Sequence, residues 1–188
     1  REPSIYIFNC YPKQSRENFD RQDVGHPHDM YRGFLSRYVP EAQVKILFIA
    51  DFETDLPGPD ELAGLDGIIW TGSDLTIYHL DDPRVTRQIE LMKSIFEVGI
   101  PCYGSCWGIQ MAAVAAGGEV KKNPNGREWG VSGIISQTNS GQSSDLLKGK
   151  PKQYKGFVMH LDEVTGLPDG ASLLACNDHT HVQALEVK

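Results

Sequence analysis

The residues with the most chemical content stand together at Gly104-Ser105-Cys106-Trp107-Gly108-Ile109-Gln110. A cysteine has a glycine two positions to each side and sits between an apolar run and a small-residue helical pattern at 107–116. That arrangement fits the sharp strand-to-helix turn that presents a nucleophile, here with Cys in place of Ser. The residue types answer physical demands. Glycines let strand and helix approach closely around a strained turn. The turn sets the sulfur at a helix N-terminus, where aligned peptide dipoles favour thiolate over thiol. The amide N–H of Trp107 then faces the oxyanion that forms when the thiolate attacks a carbonyl. The plainer alternative is a buried cysteine in a tight turn. Its position after a fourth strand and before a helix favours the nucleophile. Cys10, Cys102 and Cys176 read as core thiols.

A series of strands and helices must bring that turn into place. Residues 4–10 (SIYIFNC) predict a first strand, and the polar stretch 11–22 predicts a loop. From Asp29 onward, Met30, Phe34, Leu35 and Tyr38 recur at helical spacing until Pro40 ends the pattern. Residues 44–50 (VKILFIA) form an apolar run suited to a parallel sheet buried on both faces. The acidic run 51–60 reads as a solvated loop, and 66–70 (DGIIW) predicts a third strand ending in Thr71-Gly72-Ser73. A helix capped by Asp81 or Asp82 follows, with Pro83 in its first turn and Val85, Ile89, Met92 and Phe96 on one face; Gly99 closes it. Residues 99–103 (GIPCY) predict the fourth strand. This order implies an α/β fold with a doubly wound, mostly parallel sheet flanked by helices. Beyond Val120, short strands at 129–136, 156–160, 172–176 and 182–187 predict an antiparallel C-terminal extension in the same domain, with 141–144 as a loop.

The segment GSCWGIQMAAVAAGGEV resembles the nucleophile segment of class I glutamine amidotransferases, G-x-C-x-G-x-Q followed by a helix and Gly-Gly. Three further stretches resemble that family in order and spacing: Asp66 to Ser73, Gly126-Arg127-Glu128-Trp129-Gly130-Val131, and His160-Leu161-Asp162-Glu163-Val164 with Leu167-Pro168. The ending, His181 to Glu186, resembles the strand before the family's last catalytic motif. Similarity extends over nearly the whole chain and is greatest to free-standing domains like the amidotransferase part of GMP synthase. The resemblance implies a flavodoxin-like fold and a reaction in which Cys106 attacks the side-chain amide of glutamine. Ammonia leaves, and water hydrolyses the thioester to glutamate. It further implies that the amides of Gly72 and Trp107 stabilise the oxyanion, that Gly104 and Gly108 shape the turn, and that Gln110 and His160 contact glutamine.

Two features depart from the family. Its general base is a His from a His-Pro-Glu segment, and none of the six histidines stands in a His-x-Glu. The family places that segment one strand beyond Lys188, so the chain reads as a single domain, 1–188, that is C-terminally incomplete. Met159 stands where the family has Ser. An internal set, Cys106…Asp162…His181, has the order of an α/β-hydrolase triad, but His179 and His181 read more simply as turn and strand residues. Glu128 reads as a buried strand carboxylate with a partner, and Trp70, Trp107 and Trp129 as packing residues. His26-Pro27-His28 and His179-Thr180-His181 lack spaced partners for a metal.

Composition bounds the remaining possibilities. The 188 residues are 40% hydrophobic and 23% charged, enough for a self-sufficient core. A net charge of -7, with no Lys/Arg stripe, argues against nucleic-acid binding. No apolar stretch is long enough to span a membrane, and REPSIYIFNC begins as a strand rather than a leader. The four cysteines lack a CxxC pair, which points to a reduced, cytoplasmic setting. Without a G-x-G-x-x-G or P-loop, no cofactor is expected. The expected substrate is glutamine, and the ammonia would pass to a separate synthetase. The alternatives are a cysteine hydrolase of γ-glutamyl peptides or conjugates, and a non-catalytic protein that keeps the pocket without the base.

Overall fold

The chain opens with β1 (Ser4–Asn9) and continues through α1 (Lys13–Arg21) and α2 (Pro27–Tyr38) to β2 (Gln43–Phe48), then α3 (Pro59–Ala63), β3 (Gly67–Trp70), α4 (Pro83–Val98) and β4 (Cys102–Gly104). The computed structural model describes residues 1–188, which fall into two compact units, 1–111 and 112–188. In the first unit the four strands form one parallel sheet in the order β2-β1-β3-β4. The central strand β1 supplies the fully buried Ile7 and Phe8, and Phe8 meets Trp70 of β3 edge-on at 5.2 Å. The chain leaves β1 for β2 on one side and returns to β3 on the other. The carboxyl ends of β1 and β3 therefore diverge at the kind of switch point where open α/β sheets bind ligands.

Several elements differ from the sequence expectation. Residues 11–22 are not a loop, because α1 occupies most of them. Its sequence KQSRENFDR carries no apolar stripe, so hydrophobic periodicity cannot reveal it. Its supports come from outside: Asp51 accepts a hydrogen bond from the Lys13 amide at 3.2 Å and pairs with Arg16 at 2.6 Å. Asp51 is thus a half-buried anchor rather than part of a solvated loop. Helix α2 begins at Pro27, and of its expected core face only Leu35 is buried; Met30, Phe34 and Tyr38 face solvent. Strand β2 is a sheet edge and only half-buried, not covered on both faces. Cys102, expected in the core, is exposed because β4 is the other edge strand. The capped helix does form as α4, with the Asp82 carboxylate accepting from the Arg84 amide at 2.9 Å.

The turn after β4 leads into α5 (Trp107–Ala115), whose last residues belong to the second unit. Strand, turn and helix are packed to the limit of backbone contact. A Cβ on Gly104 would lie 2.6 Å from the carbonyl carbon of Gly108, and one on Gly108 would lie 2.9 Å from the Trp70 Cβ. The Ser105 amide reaches across to the Trp70 carbonyl at 3.3 Å, and the Gly108 amide to the Ser105 carbonyl at 3.0 Å.

The second unit contains β5 (Glu119–Lys122), β6 (Glu128–Val131), β7 (Ile135–Gln137), α6 (Asn139–Ser143), β8 (Gln153–Tyr154), β9 (Phe157–His160), β10 (Asp162–Gly166), β11 (Ser172–Cys176) and β12 (Ala184–Glu186). All its pairings are antiparallel: β5 with β10, β6 with β9, and a sheet ordered β12-β11-β7-β8. The single strand expected over 129–136 is broken into β6 and β7, and the expected loop at 141–144 mostly belongs to α6, which Thr138 caps. Ile135, Leu147, Leu174 and Ala175 form a small apolar core.

The polar centre of this unit is the buried carboxylate of Glu128. It accepts hydrogen bonds from Asn177 at 2.5 Å, Gln183 at 2.7 Å and Thr180 at 3.0 Å, and His160 Nε2 lies 3.1 Å away. Three donors come from residues 177–183, so the carboxylate fastens that segment to β6. Burial pushes the Glu128 carboxyl up, but the Asn177, Gln183 and Thr180 donors and the charge of His160 outweigh it and hold the group below its ordinary value.

Two outcomes follow for stability. Gly104→Ala forces a side chain against backbone that cannot retreat and should cost about 1–3 kcal/mol or more, read as a lower denaturant midpoint. Because the folded Glu128 is held low, its contribution is present above the ordinary carboxylate range and is lost as pH falls through the lower folded value. Denaturation followed from pH 7 to pH 3 should show that loss in the wild type, and Glu128→Gln should flatten this component while lowering stability at pH 7.

Candidate active site

Cys106 lies between β4 and α5 with φ at +54°, a left-handed conformation shared among non-glycine residues only by Asp23. Holding a side-chain-bearing residue there costs about 1–3 kcal/mol, which the surrounding close contacts must maintain. The residue is half-buried. Its carbonyl accepts the Gln110 amide at 3.3 Å, so the helix begins directly at the cysteine. Gln110 is itself buried, one turn on.

Gly72, just past β3, is brought alongside. A Cβ placed on it would lie 3.9 Å from the Cys106 Cβ and 3.2 Å from the Tyr11 hydroxyl oxygen. The backbone here is tied to the end of β1. The Thr71 amide donates to the Phe8 carbonyl at 3.1 Å, and Thr71 Oγ1 accepts from the Cys10 amide at 3.0 Å. Ser73 Oγ donates to the Cys10 carbonyl at 2.8 Å. Trp107 is anchored from behind: its indole N–H donates to Gln88 Oε1 at 2.9 Å, and Gln88 Nε2 donates onward to the Arg84 carbonyl at 3.0 Å. Helix dipoles put partial positive charge at an N-terminus, and the N-terminus of α5 lies at the cysteine.

The structure therefore brings Cys106, Gly72, Trp107, Gln110, Gly104 and Gly108 into one neighbourhood of the first unit. His160 lies in the second unit, where its Nε2 faces Glu128 and its Nδ1 lies 3.1 Å from the Asp162 carbonyl. Asp162 stands at the start of β10 and His181 precedes β12. Trp70 and Trp107 are buried packing residues, whereas Trp129, expected to pack, is exposed on β6. His26 stacks on His28 with ring centroids 5.1 Å apart, beside a cleft of about 310 Å³ that Lys13, Arg16 and Phe48 help to line. No three His, Cys, Asp or Glu side chains are grouped as metal ligands.

Two tyrosines near the cysteine escaped the sequence reading. Tyr11 lies two residues past the end of β1, and Tyr31 on α2 shares a hydrogen bond with the Ser105 side chain. Burial, with a smaller contribution from the nearby Cys106, pushes both phenols up to about 12. The only advance signal was the position of Tyr11 at the carboxyl end of the first strand. That end becomes informative once the strand order is known.

Comparison with known proteins agrees with this architecture. The family model described as "Glutamine amidotransferase class-I" matches residues 30–188. A gamma-glutamyl-L-1-hydroxyisopropylamide hydrolase from a Pseudomonas species is 35% identical over 190 residues, covering 98% of this chain and 62% of that protein. A glutamine-hydrolyzing GMP synthase from Leifsonia xyli is 37% identical over 119 residues, covering 63% of this chain and 22% of its own length. The chain thus spans less than two thirds of the length of either relative. A glutamine amidotransferase structure from Thermotoga maritima superposes with a TM-score of 0.72 at 16% identity, covering 99% of this chain and 72% of that one. Another from Methylobacillus flagellatus gives 0.68 at 20% identity, covering 99% and 66%. At those identities the structures speak to fold. A family model covering most of the chain, with a relative 35% identical along nearly all of it, establishes that this chain belongs to the class-I glutamine amidotransferases.

Proposed function

We propose that the chain hydrolyses the side-chain amide of glutamine through Cys106, giving glutamate and ammonia, with the ammonia taken up by a separate synthetase. The observation that carries this reading is the strained Cys106, at φ +54° on a helix N-terminus with Gly72 beside it. The Cys106 thiolate attacks the amide carbon, the S–C bond forms, and the carbonyl electron pair moves onto oxygen. The amides of Gly72 and Trp107 meet that charge with preorganised dipoles, usually the largest single source of rate in such sites. Collapse breaks the C–N bond, the nitrogen takes a proton and leaves as ammonia, and water cleaves the thioester. Gln110 holds the substrate one helical turn from the sulfur. Class I amidotransferases move the protons with a His-Pro-Glu histidine, a sequence absent from residues 1–188.

A second reading takes a γ-glutamyl amide with a substituted nitrogen as substrate, so that an amine leaves instead of ammonia and no synthetase is needed. It is favoured by the 98% coverage of this chain in the match to a gamma-glutamyl-L-1-hydroxyisopropylamide hydrolase. The bond broken and the roles above are the same. Side-by-side turnover of glutamine and of γ-glutamyl amides of small amino alcohols separates the two readings.

Cys106→Ala should abolish turnover and prevent the single covalent adduct expected with 6-diazo-5-oxonorleucine, while changing stability by about 0.5 kcal/mol or less. Residual hydrolysis in that variant would remove Cys106 from the mechanism. Gln110→Ala should raise KM roughly tenfold with kcat little changed, because it removes a contact made equally in ground and transition states. An unchanged KM would take Gln110 out of substrate binding.

A further inference from the structure

The side chain of Tyr11 has no role in the mechanism above, yet it is the side chain that stands over Gly72. Its hydroxyl oxygen is 3.2 Å from the point where a Gly72 Cβ would be, and that same point is 3.9 Å from the Cys106 Cβ. The hydroxyl and the nucleophile thus flank one small volume beside the Gly72 backbone. We propose that the Tyr11 hydroxyl is a third oxyanion donor, adding a side-chain hydrogen bond to those of the Gly72 and Trp107 amides as the tetrahedral intermediate forms. The inference rests on the reading that Cys106 attacks a γ-glutamyl amide.

A donor contributes to rate only if it is already oriented when charge develops. Tyr11 is held on several sides. Its amide donates to Asn9 Oδ1 at 3.0 Å, and its carbonyl accepts from Arg16 Nη1 at 2.8 Å. Arg16 is in turn fixed by Asp51 at 2.6 Å. The ring packs edge-on against Phe19 of α1, with centroids 5.0 Å apart. The polar helix α1 thereby acquires a purpose, since its one aromatic residue, Phe19, and its half-buried Arg16 both brace this tyrosine. The phenol, pushed up to about 12 by burial and by the charges of Cys106 and Asp74, keeps its proton at neutral pH. It can therefore donate a hydrogen bond but not act as a base. Throughout the step the Tyr11 O–H bond stays intact: the carbonyl oxygen gains the electron pair, the hydrogen bond shortens, and on collapse it relaxes as the C–N bond breaks.

Tyr11→Phe keeps the ring against Phe19 and removes only the hydroxyl. Turnover of the preferred γ-glutamyl amide should fall about 100- to 1,000-fold in kcat with KM nearly unchanged, the range expected for losing one oxyanion donor. Inactivation by 6-diazo-5-oxonorleucine, in which the thiolate displaces dinitrogen from the protonated diazomethyl carbon while the adjacent ketone oxygen occupies the oxyanion site, should slow in parallel. Alkylation of Cys106 by iodoacetamide displaces iodide without a γ-glutamyl ketone seated in that site and should proceed at the wild-type rate, which also reports that the variant is folded. Equal kcat in variant and wild type would overturn the proposal, as would an equal slowing with both reagents, because that would place the hydroxyl's effect on the thiolate. Wild-type protein that iodoacetamide alkylates at Cys106, but that neither turns over γ-glutamyl amides nor reacts with 6-diazo-5-oxonorleucine, would overturn the underlying reading and this inference with it.

Discussion

The contact between Gly104, Gly108 and Trp70 governs the geometry of the site. Where β4 gives way to α5, backbone meets backbone at distances no side chain can share, and the indole-bearing residue of β3 closes the third side. This contact holds Cys106 in a conformation that a free peptide would abandon. Strain of this kind persists only where neighbouring structure over-determines it. Here the neighbours are the end of β3, the first turn of α5 and the Ser105 amide on the Trp70 carbonyl. The same contact sets the distance to Gly72, because Gly72 lies two residues beyond Trp70, just past the end of β3.

A second layer of support surrounds this contact. Trp107 points away from the site and is tethered through Gln88 to the backbone of α4, so the helix that carries the cysteine is fixed to the capped helix before it. On the other side, Thr71 and Ser73 bind the end of β3 to the Cys10 backbone. The ends of β1, β3 and β4 thus converge through hydrogen bonds that satisfy buried polar groups while orienting functional ones. In the second unit Glu128 has a comparable structural role. A single buried carboxylate gathers three donors from one segment, and each removes part of the cost of burying charge.

Much of this was legible in the amino-acid order. The glycine-cysteine-glycine spacing, the cap at Asp82 and the apolar runs that became β1 and β3 all depend on interactions between near neighbours, which the sequence displays directly. The errors were of another kind. Helix α1 has no periodic stripe and is supported by Asp51, 35 to 38 residues from the side chains and amides it holds, so no local signal could announce it. The face of α2 carrying Met30, Phe34 and Tyr38 has helical spacing but lies open, because periodicity predicts which residues share a face and not whether anything covers it. The exposure of Cys102 and the half-burial of β2 follow from edge position, which is a property of the sheet order.

The sequence alone determined the glycine-cysteine-glycine turn, the α/β character of the first unit and the family. Each depends on residue types at fixed short separations, and steric and capping rules act over that range. Tertiary structure decided which residues surround Cys106. Tyr11 comes near Cys106, ninety-five positions later, only because β1 is the central strand and β3 its neighbour. Strand order is set by the summed burial and hydrogen bonding of the whole sheet, a global quantity that no short stretch of sequence encodes.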